Sequence, residues 1–364
     1  MTSTKISKRK KDHLKFALSS EAQIGDAGFG KYRFVHNALP EIDFDEIDTS
    51  TLFLKKRVNF PFFISCMSGG LAEGKRMNKN LAKVAQKFKI AMGVGSQRAA
   101  LENPSLAKTF QIRKYAPDIP ILANLGLVQL NYGYGLDECE KAIQMIDADA
   151  LVFHVNPIQE IVQPEGDRNF AGLLPKLAKI VKKLSKPVIV KEVGFGLSGD
   201  VVKRLYKIGV RFFDTAGWGG TNWAWVEGKR VEGESALKLA KVPGSNLFNP
   251  AGCLALNLSE WGIPTSDSIE MCVDFKSKLK INHQQPITIL GSGGIRSGID
   301  IAKAICLGVD LVGIATPFAE VALKSSGEVE KLVETYVHEL KTAMFGVGAK
   351  SLKELKKVKL SKID

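Results

Sequence analysis

Eight short apolar runs punctuate the chain, at Phe60–Ser65, Ile90–Val94, Ile119–Asn124, Ala150–Val155, Pro187–Val193, Arg211–Thr215, Pro286–Gly291 and Val309–Ala315. Each is strand-length and gives way to small or polar residues, which predicts a β-strand followed by a loop. Between most of them lies one amphipathic segment. In Gly74–Phe88, Met77, Leu81, Val84 and Phe88 recur at helical spacing and share a face. A helical stretch over Ile299–Gly308 likewise joins the last two runs into a βαβ unit. Near-continuous apolar strands suit a parallel sheet covered by helices, and so regular an alternation favours an α/β chain closed into a (β/α)8 TIM barrel over a doubly wound sheet.

Two segments depart from the rhythm. Residues 1–55 precede the first run and read as an arm packing on the barrel, with short strands across Tyr32–Leu39. The connection 216–285 is far longer than a βα loop plus helix, so it is expected to form a lid or an assembly surface. That leaves 56–350 as the barrel and 351–364 as a basic C-terminal tail. No repeat beyond the βα alternation is visible.

Composition narrows the field. The 364 residues are 45% hydrophobic and 24% charged, as in soluble globular proteins. There is no apolar run of membrane-spanning length and no signal-peptide core, which predicts a cytoplasmic protein with no membrane partner. Five cysteines without metal-ligand or CxxC spacing read as free thiols in a reducing compartment. The net charge of +13 lies largely in Lys-rich faces such as Lys176–Lys186 and Lys350–Lys362. With few aromatics among them, these read as solvated surface and not as a nucleic-acid site. A small anionic substrate is compatible with the remainder.

Barrel chemistry sits at the C-terminal ends of the strands, and here every strand end is polar or Gly-rich. The most informative is Ile289–Gly298, ILGSGGIRSG, followed by Val309–Pro317, VDLVGIATP. Loops after the seventh and eighth strands of such barrels bind phosphate through backbone N–H groups, glycine would let the backbone approach the oxygens, and Arg296 adds a charged fork. The fourth run ends in His154-Val155-Asn156-Pro157-Ile158-Gln159-Glu160, and the fifth carries Lys191 inside PVIVKEV. A buried unpaired ammonium is costly, so Lys191 is expected to face the barrel mouth and meet an anionic partner. A reduced flavin and a Schiff-base carbonyl are both compatible with it.

Taken in order, the motifs Arg9-Lys10 with His13, MSGG at 67–70, MGVGSQR at 92–98, ANLG at 123–126, HVNPIQE at 154–160, QPEGD at 163–167, VKEVGFG at 190–196, GGTNW at 219–223, WGIPT at 261–265 and GSGGIR at 291–296 cover nearly the whole chain. Together they resemble the type 2 isopentenyl diphosphate isomerases, flavin-dependent barrel enzymes. GSGGIR alone is shared by many FMN barrels; HVNPIQE with GGTNW and SQR is specific.

The resemblance implies FMN, with Gly294, Ile295, Arg296, Ala315 and Thr316 on its phosphate and Cys66, Met67, Ser68, Ser96, Asn124, Lys191 and Thr221 along its ring and ribityl chain. Arg9, Lys10, Ser96, Gln97, Arg98, His154, Asn156 and Gln159 would surround a small-molecule diphosphate substrate, and Glu160 would coordinate Mg²⁺ bridging that diphosphate. Gln159, His154 and Lys191 would be the catalytic side chains. NADPH would reduce the flavin once per many turnovers, and the family forms homotetramers or homo-octamers. Trp225, Phe248 and Trp261 are expected to be exposed for such assembly. The position expected to be Ser in the sixth strand's motif is Ala216 here, leaving a backbone N–H to serve the flavin. Another FMN barrel oxidoreductase acting on a small anionic substrate is the competing reading. Its α-hydroxy-acid oxidase form wants a His base and its inosine monophosphate form a Cys in the loop after the sixth strand; neither signature is present.

Overall fold

All eight apolar runs become parallel strands of one closed barrel. The computed structural model describes residues 3–231, 255, 257–279 and 286–363. The arm supplies helix α1 (Ser3–Ala17), strand β1 (Tyr32–Phe34) and a hairpin, β2 (Thr51–Phe53) with β3 (Lys56–Val58). The barrel strands are β4 (Phe62–Ile64), β5 (Ala91–Gly93), β6 (Ile121–Gly126), β7 (Ala150–His154), β8 (Val188–Lys191), β9 (Phe212–Asp214), β10 (Thr288–Ser292) and β11 (Leu311–Ile314). They pair in sequence order, and β11 closes on β4 with Gly313 opposite Phe63. The expected (β/α)8 barrel is therefore the observed fold.

Alternation along each strand divides the apolar residues between two cores. Phe63, Ala91, Leu122, Val152, Ile189, Leu290 and Leu311 point inward and fill the barrel. Phe62, Ile64, Met92, Leu151, Phe153, Val190, Phe213, Ile289 and Val312 point outward, against the helices. Those helices include α2 (Ala72–Phe88), whose Met77, Leu81 and Val84 are buried as their spacing predicts. In chain order follow α3 (Arg98–Glu102), α4 (Leu136–Ile146), α5 (Pro157–Val162), α6 (Leu173–Lys183), α7 (Gly199–Lys207), α8 (Trp223–Val231), α9 (Thr265–Lys278), α10 (Gly298–Cys306), α11 (Thr316–Ala322), α12 (Ser326–Gly346) and α13 (Leu352–Leu355).

The β2–β3 hairpin plugs the bottom of the barrel. Phe53 stacks on Phe63 with ring centroids 6.3 Å apart, and Lys56 Nζ donates to Ile119 O and to Asp149, which also accepts from Arg113. With the lower end closed, ligands can enter only from the mouth.

Three expectations need correcting. The last residues are no loose tail: Leu352 and Leu355 are buried, and strand β12 (Leu360–Lys362) pairs antiparallel with β1 of the arm. Trp225 is buried against Ala22 and Val226, whereas Trp261 is exposed; Phe248 and Cys253 lie outside the described residues. Of the short strands expected across Tyr32–Leu39, only β1 forms. Among the described residues no helix is long and apolar enough to cross a membrane.

Candidate active site

At the mouth, the loops after β4 to β11 and helix α1 enclose a cleft of about 290 Å³. Every expected site residue borders it except Gln97. Gln97 is fully buried behind the wall, where its amide donates to Ala142 O (2.8 Å) and accepts from Asn124 N (3.0 Å). Its neighbours Ser96 and Arg98 turn the other way because the chain starts α3 there, so Gln97 anchors the loop instead of facing a ligand. Within SQR a loop, not a strand, sets the direction of each side chain, so neighbours need not face the same way.

At one end of the cleft lie the loops after β10 and β11. The Gly294 and Ile295 N–H groups donate to no acceptor among the described residues, whereas those of Arg296 and Ser297 go to Asp300 in the capping box of α10. The Arg296 guanidinium donates to Gln23 Oε1 (2.6 Å) and to Ile295 O (3.0 Å), and among the described residues no carboxylate forms a salt bridge with it. Burial lowers its pKa, although guanidinium stays charged. Thr221 and Thr316 share a hydroxyl hydrogen bond of 2.8 Å beside it. Orphan N–H groups, two hydroxyls and an uncompensated cation fit a phosphate.

The glycines of this loop also serve packing. A Cβ on Gly293 would meet Gly217 O, and one on Gly294 would meet Gly219 O and Ala27 Cβ. Both residues have positive φ, +106° and +65°. They let two loops and the arm close on one another, and so shape the cradle from behind.

The floor carries charge. Lys191 Nζ donates to Glu192 O at 2.5 Å and lies 3.9 Å from Asp214, a buried carboxylate that accepts from Ser292 Oγ and whose pKa is raised by burial. The backbone of Ala216, at φ 39°, counters that rise at Asp214. Burial pushes the Cys66 thiol up to about 12, so it is neutral. Ser65 Oγ and Asn156 Oδ1, both bordering the cleft, are buried with no partner. Orphaned polar atoms of this kind mark positions a polar ligand would complete.

At the other end α1 lies over the loops after β4 and β5. Lys10 Nζ donates to Gly69 O (2.5 Å) and Ser96 O (3.5 Å) and among the described residues forms no salt bridge; burial and the adjacent Arg9 lower its pKa to about 8, against a smaller opposing pull from Glu102. Arg98 pairs with Glu102 and Asp167. His154 Nδ1 lies 3.0 Å from Asn124 Oδ1, and burial, with Lys191 and Arg98 nearby, holds it down at about 3, so the ring is neutral. Glu160 is buried, its oxygens accepting from Asn156 Nδ2 (2.9 Å) and Asp167 N (2.7 Å), and desolvation raises its pKa. Gln159 donates to Glu227 Oε1 (2.9 Å) and accepts from Asn156 (3.0 Å).

Glu227 is the residue that sequence reasoning missed. It is fully buried on α8, in the long insertion, and is bound by His13 (2.8 Å), Gln159 and Arg230. Burial pushes its carboxyl up, but these partners outweigh that and hold it at about 2. The signal was available: an acid between Val226 and Gly228 on a helix rich in Trp has no apolar role. Gln23, Asp167 and Asp214 were also missed: Gln23 and Asp167 lie outside the βα alternation, and Asp214 ends the apolar strand β9.

Comparison with known proteins now decides the lineage. The chain is 44% identical to the isopentenyl-diphosphate delta-isomerase of Nostoc sp. (strain PCC 7120 / SAG 25.82 / UTEX 2576), over 97% of this chain and 95% of that one. It is 43% identical to the isopentenyl-diphosphate delta-isomerase of Rickettsia bellii (strain RML369-C), over 97% of each. The chain belongs to the isopentenyl-diphosphate delta-isomerase family. The resemblance drawn from the motifs holds over nearly their full length. As an isopentenyl-diphosphate delta-isomerase family member it also carries, over residues 250–362, a match to the FMN-dependent dehydrogenase family. Its fold is shared with a flavocytochrome b2 mutant (TM-score 0.65, 16% identity, 97% of this chain and 82% of that) and a mandelate oxidase mutant (TM-score 0.60, 14% identity, 100% and 99%).

Proposed function

We propose that the protein interconverts isopentenyl diphosphate and dimethylallyl diphosphate, with FMN resident, Mg²⁺ on the substrate and NADPH as reductant. One observation carries this reading. Among the described residues, two cationic centres of the cleft have no carboxylate within salt-bridge distance, Arg296 among the β10 and β11 loops and Lys10 with Arg9 on α1. Cations that line a cleft without a paired carboxylate attract anions, and two such centres suit two phosphate-bearing molecules in one cleft.

Isomerisation adds a proton at one carbon and removes one at another, with no net redox change. When bound, reduced FMN would supply an acid strong enough for an unactivated alkene and an electron-rich face beside the substrate. Arg296 and the Gly294 and Ile295 N–H groups would hold its phosphate, with Ala315, Thr316 and Thr221 beside them. Cys66, Met67, Ser68, Ser96 and Asn124 border the remaining space, and Lys191 places positive charge at the floor. Arg9, Lys10 and Arg98 would grip the substrate's diphosphate. Glu160 would bring one carboxylate to Mg²⁺, with phosphate oxygens and waters completing the shell. Neutral His154 is a hydrogen-bonding group here and no cation. Asn156 and Glu227 orient Gln159, which would steer a proton at the substrate.

Purified protein should carry flavin absorption. Anaerobic incubation with isopentenyl diphosphate, Mg²⁺ and NADPH should form dimethylallyl diphosphate without stoichiometric NADPH use. Consumption of one NADPH per product would overturn the reading in favour of an FMN-dependent oxidoreductase. We also read a cytoplasmic homotetramer or homo-octamer, supported by exposed Trp261 and checked by light scattering.

A further inference from the structure

The cations of the cleft are not equivalent. Lys10 and Arg296 hold only carbonyl or amide oxygens, whereas Arg98 holds two carboxylates: Glu102 Oε1 on Nε at 2.7 Å and Asp167 Oδ2 on Nη1 at 2.6 Å. Glu102 is one turn further along α3, an ordinary i,i+4 pair. Asp167 comes from the connection between α5 and α6, stands outside the cleft lining, and is held by a second donor, Gln129 Nε2 at 2.9 Å. Its own N–H donates to Glu160 Oε2 at 2.7 Å. One residue thus touches the guanidinium assigned to the diphosphate through its side chain and the carboxylate assigned to the metal through its backbone.

We propose that Asp167 is an internal stand-in for the diphosphate: it neutralises Arg98 while the cleft is empty, yields it to the incoming anion, and so sets how tightly substrate binds. The inference rests on the reading in which Arg98 grips the diphosphate. Carboxylate and phosphate compete for the same fork of N–H donors. The side chains of Arg98 and Asp167 are 27% and 15% exposed, so the pair is partly screened by water. Its rupture therefore costs a modest amount that the more highly charged diphosphate can recover.

The test is binding of inorganic pyrophosphate to the full chain without Mg²⁺, by titration calorimetry, together with KM and kcat for isopentenyl diphosphate. Asp167→Asn should bind pyrophosphate roughly fivefold more tightly, the change expected from losing a partly exposed ion pair, with KM falling in proportion. Gln129→Met, which removes only the second anchor on Asp167, should move affinity in the same direction by a smaller factor and covers the case in which Asp167→Asn fails to fold. Unchanged or weaker binding in either variant, with Arg98→Ala still losing binding, overturns the inference and makes Asp167 a positioning residue for Arg98. Wild-type binding by Arg98→Ala overturns the assignment of Arg98 itself, and the inference with it.

Discussion

The two ends of the cleft treat most of their charge differently, Lys10 and Arg9 at the α1 end being the exception. At the β10 and β11 end, Arg296 has no salt-bridge partner among the described residues and sits on loops fixed by glycines packed against other backbone. At the α1 and α5 end, most charges have partners: Arg98 with Asp167 and Glu102, Glu160 with Asn156 and the Asp167 N–H, Glu227 with His13 and Arg230. A preformed, uncompensated cradle suits an anion that arrives once and stays. A compensated network suits one that comes and goes, because each arrival exchanges one set of ion pairs for another. Chemistry follows the same division, since a resident cofactor needs rigidity and a turning-over substrate needs exchange.

The sharpest way to break this comparison is a pair of substitutions. Arg296→Ala removes charge-assisted bonds to the phosphate and should weaken FMN retention by about 10- to 100-fold, while turnover at saturating FMN changes little. Glu160→Gln should reverse the pattern, cutting Mg²⁺-dependent turnover by a factor on the order of 10 to 100 with flavin content unchanged. Flavin absorbance after gel filtration and initial rates over a Mg²⁺ series measure both. Equal losses of flavin and turnover in the two variants would show that the ends are not separate sites.

A smaller effect sharpens it further. Lys10 carries its charge below about 8 and loses it as pH rises through that value. Diphosphate affinity should therefore be full at pH 7 and decline across pH 8 to 9, by roughly the tenfold that one partly buried charge contributes. A bound anion favours the protonated lysine and so pushes the decline upward in the complex. Lys10→Arg, charged throughout, should flatten the profile of pyrophosphate binding. A profile of unchanged shape in Lys10→Arg would assign the titration elsewhere.

Much of this was legible in the sequence, for physical reasons that also explain what was not. All eight strands are visible because each is buried on both faces, so apolar content marks them without any need for register. Arg296 and Lys191 stand out because a charged residue at the end of an apolar strand has few places to go except the mouth. The arm is different: Gln23 reaches Arg296 from the far end of the sequence, and nothing near it reveals a partner 273 residues away. Glu227 lies in the long insertion, where the βα alternation that locates strand ends gives no guide. The C-terminal segment misled for a related reason: its lysines hide Leu352 and Leu355, whose burial depends on a barrel already in place. Lys356 and Lys362 then pair with Asp310 and Glu270, so the charge is real surface charge on an ordered segment.

Gln97 offers the smallest expected effect on ligands and the cleanest check that direction matters more than motif. It stands between two cleft residues, Ser96 and Arg98, yet its amide completes hydrogen bonds to Ala142 and Asn124 in the wall. Replacing it with Leu leaves the Asn124 N–H unpaired, at a cost of about 1–3 kcal/mol before relaxation, and takes the second donor from the Ala142 carbonyl, which keeps its bond within α4. Gln97→Leu should therefore melt at a lower temperature while pyrophosphate affinity, measured below the melting range, stays within twofold of wild type. The N–H left unpaired belongs to Asn124, which holds His154, so any catalytic loss should appear in kcat through that ring and not in diphosphate binding. A fall in pyrophosphate affinity comparable to that of Arg98→Ala, with the melting temperature unchanged, would return Gln97 to the substrate shell and show that the loop after β5 turns both neighbours inward once a ligand is present.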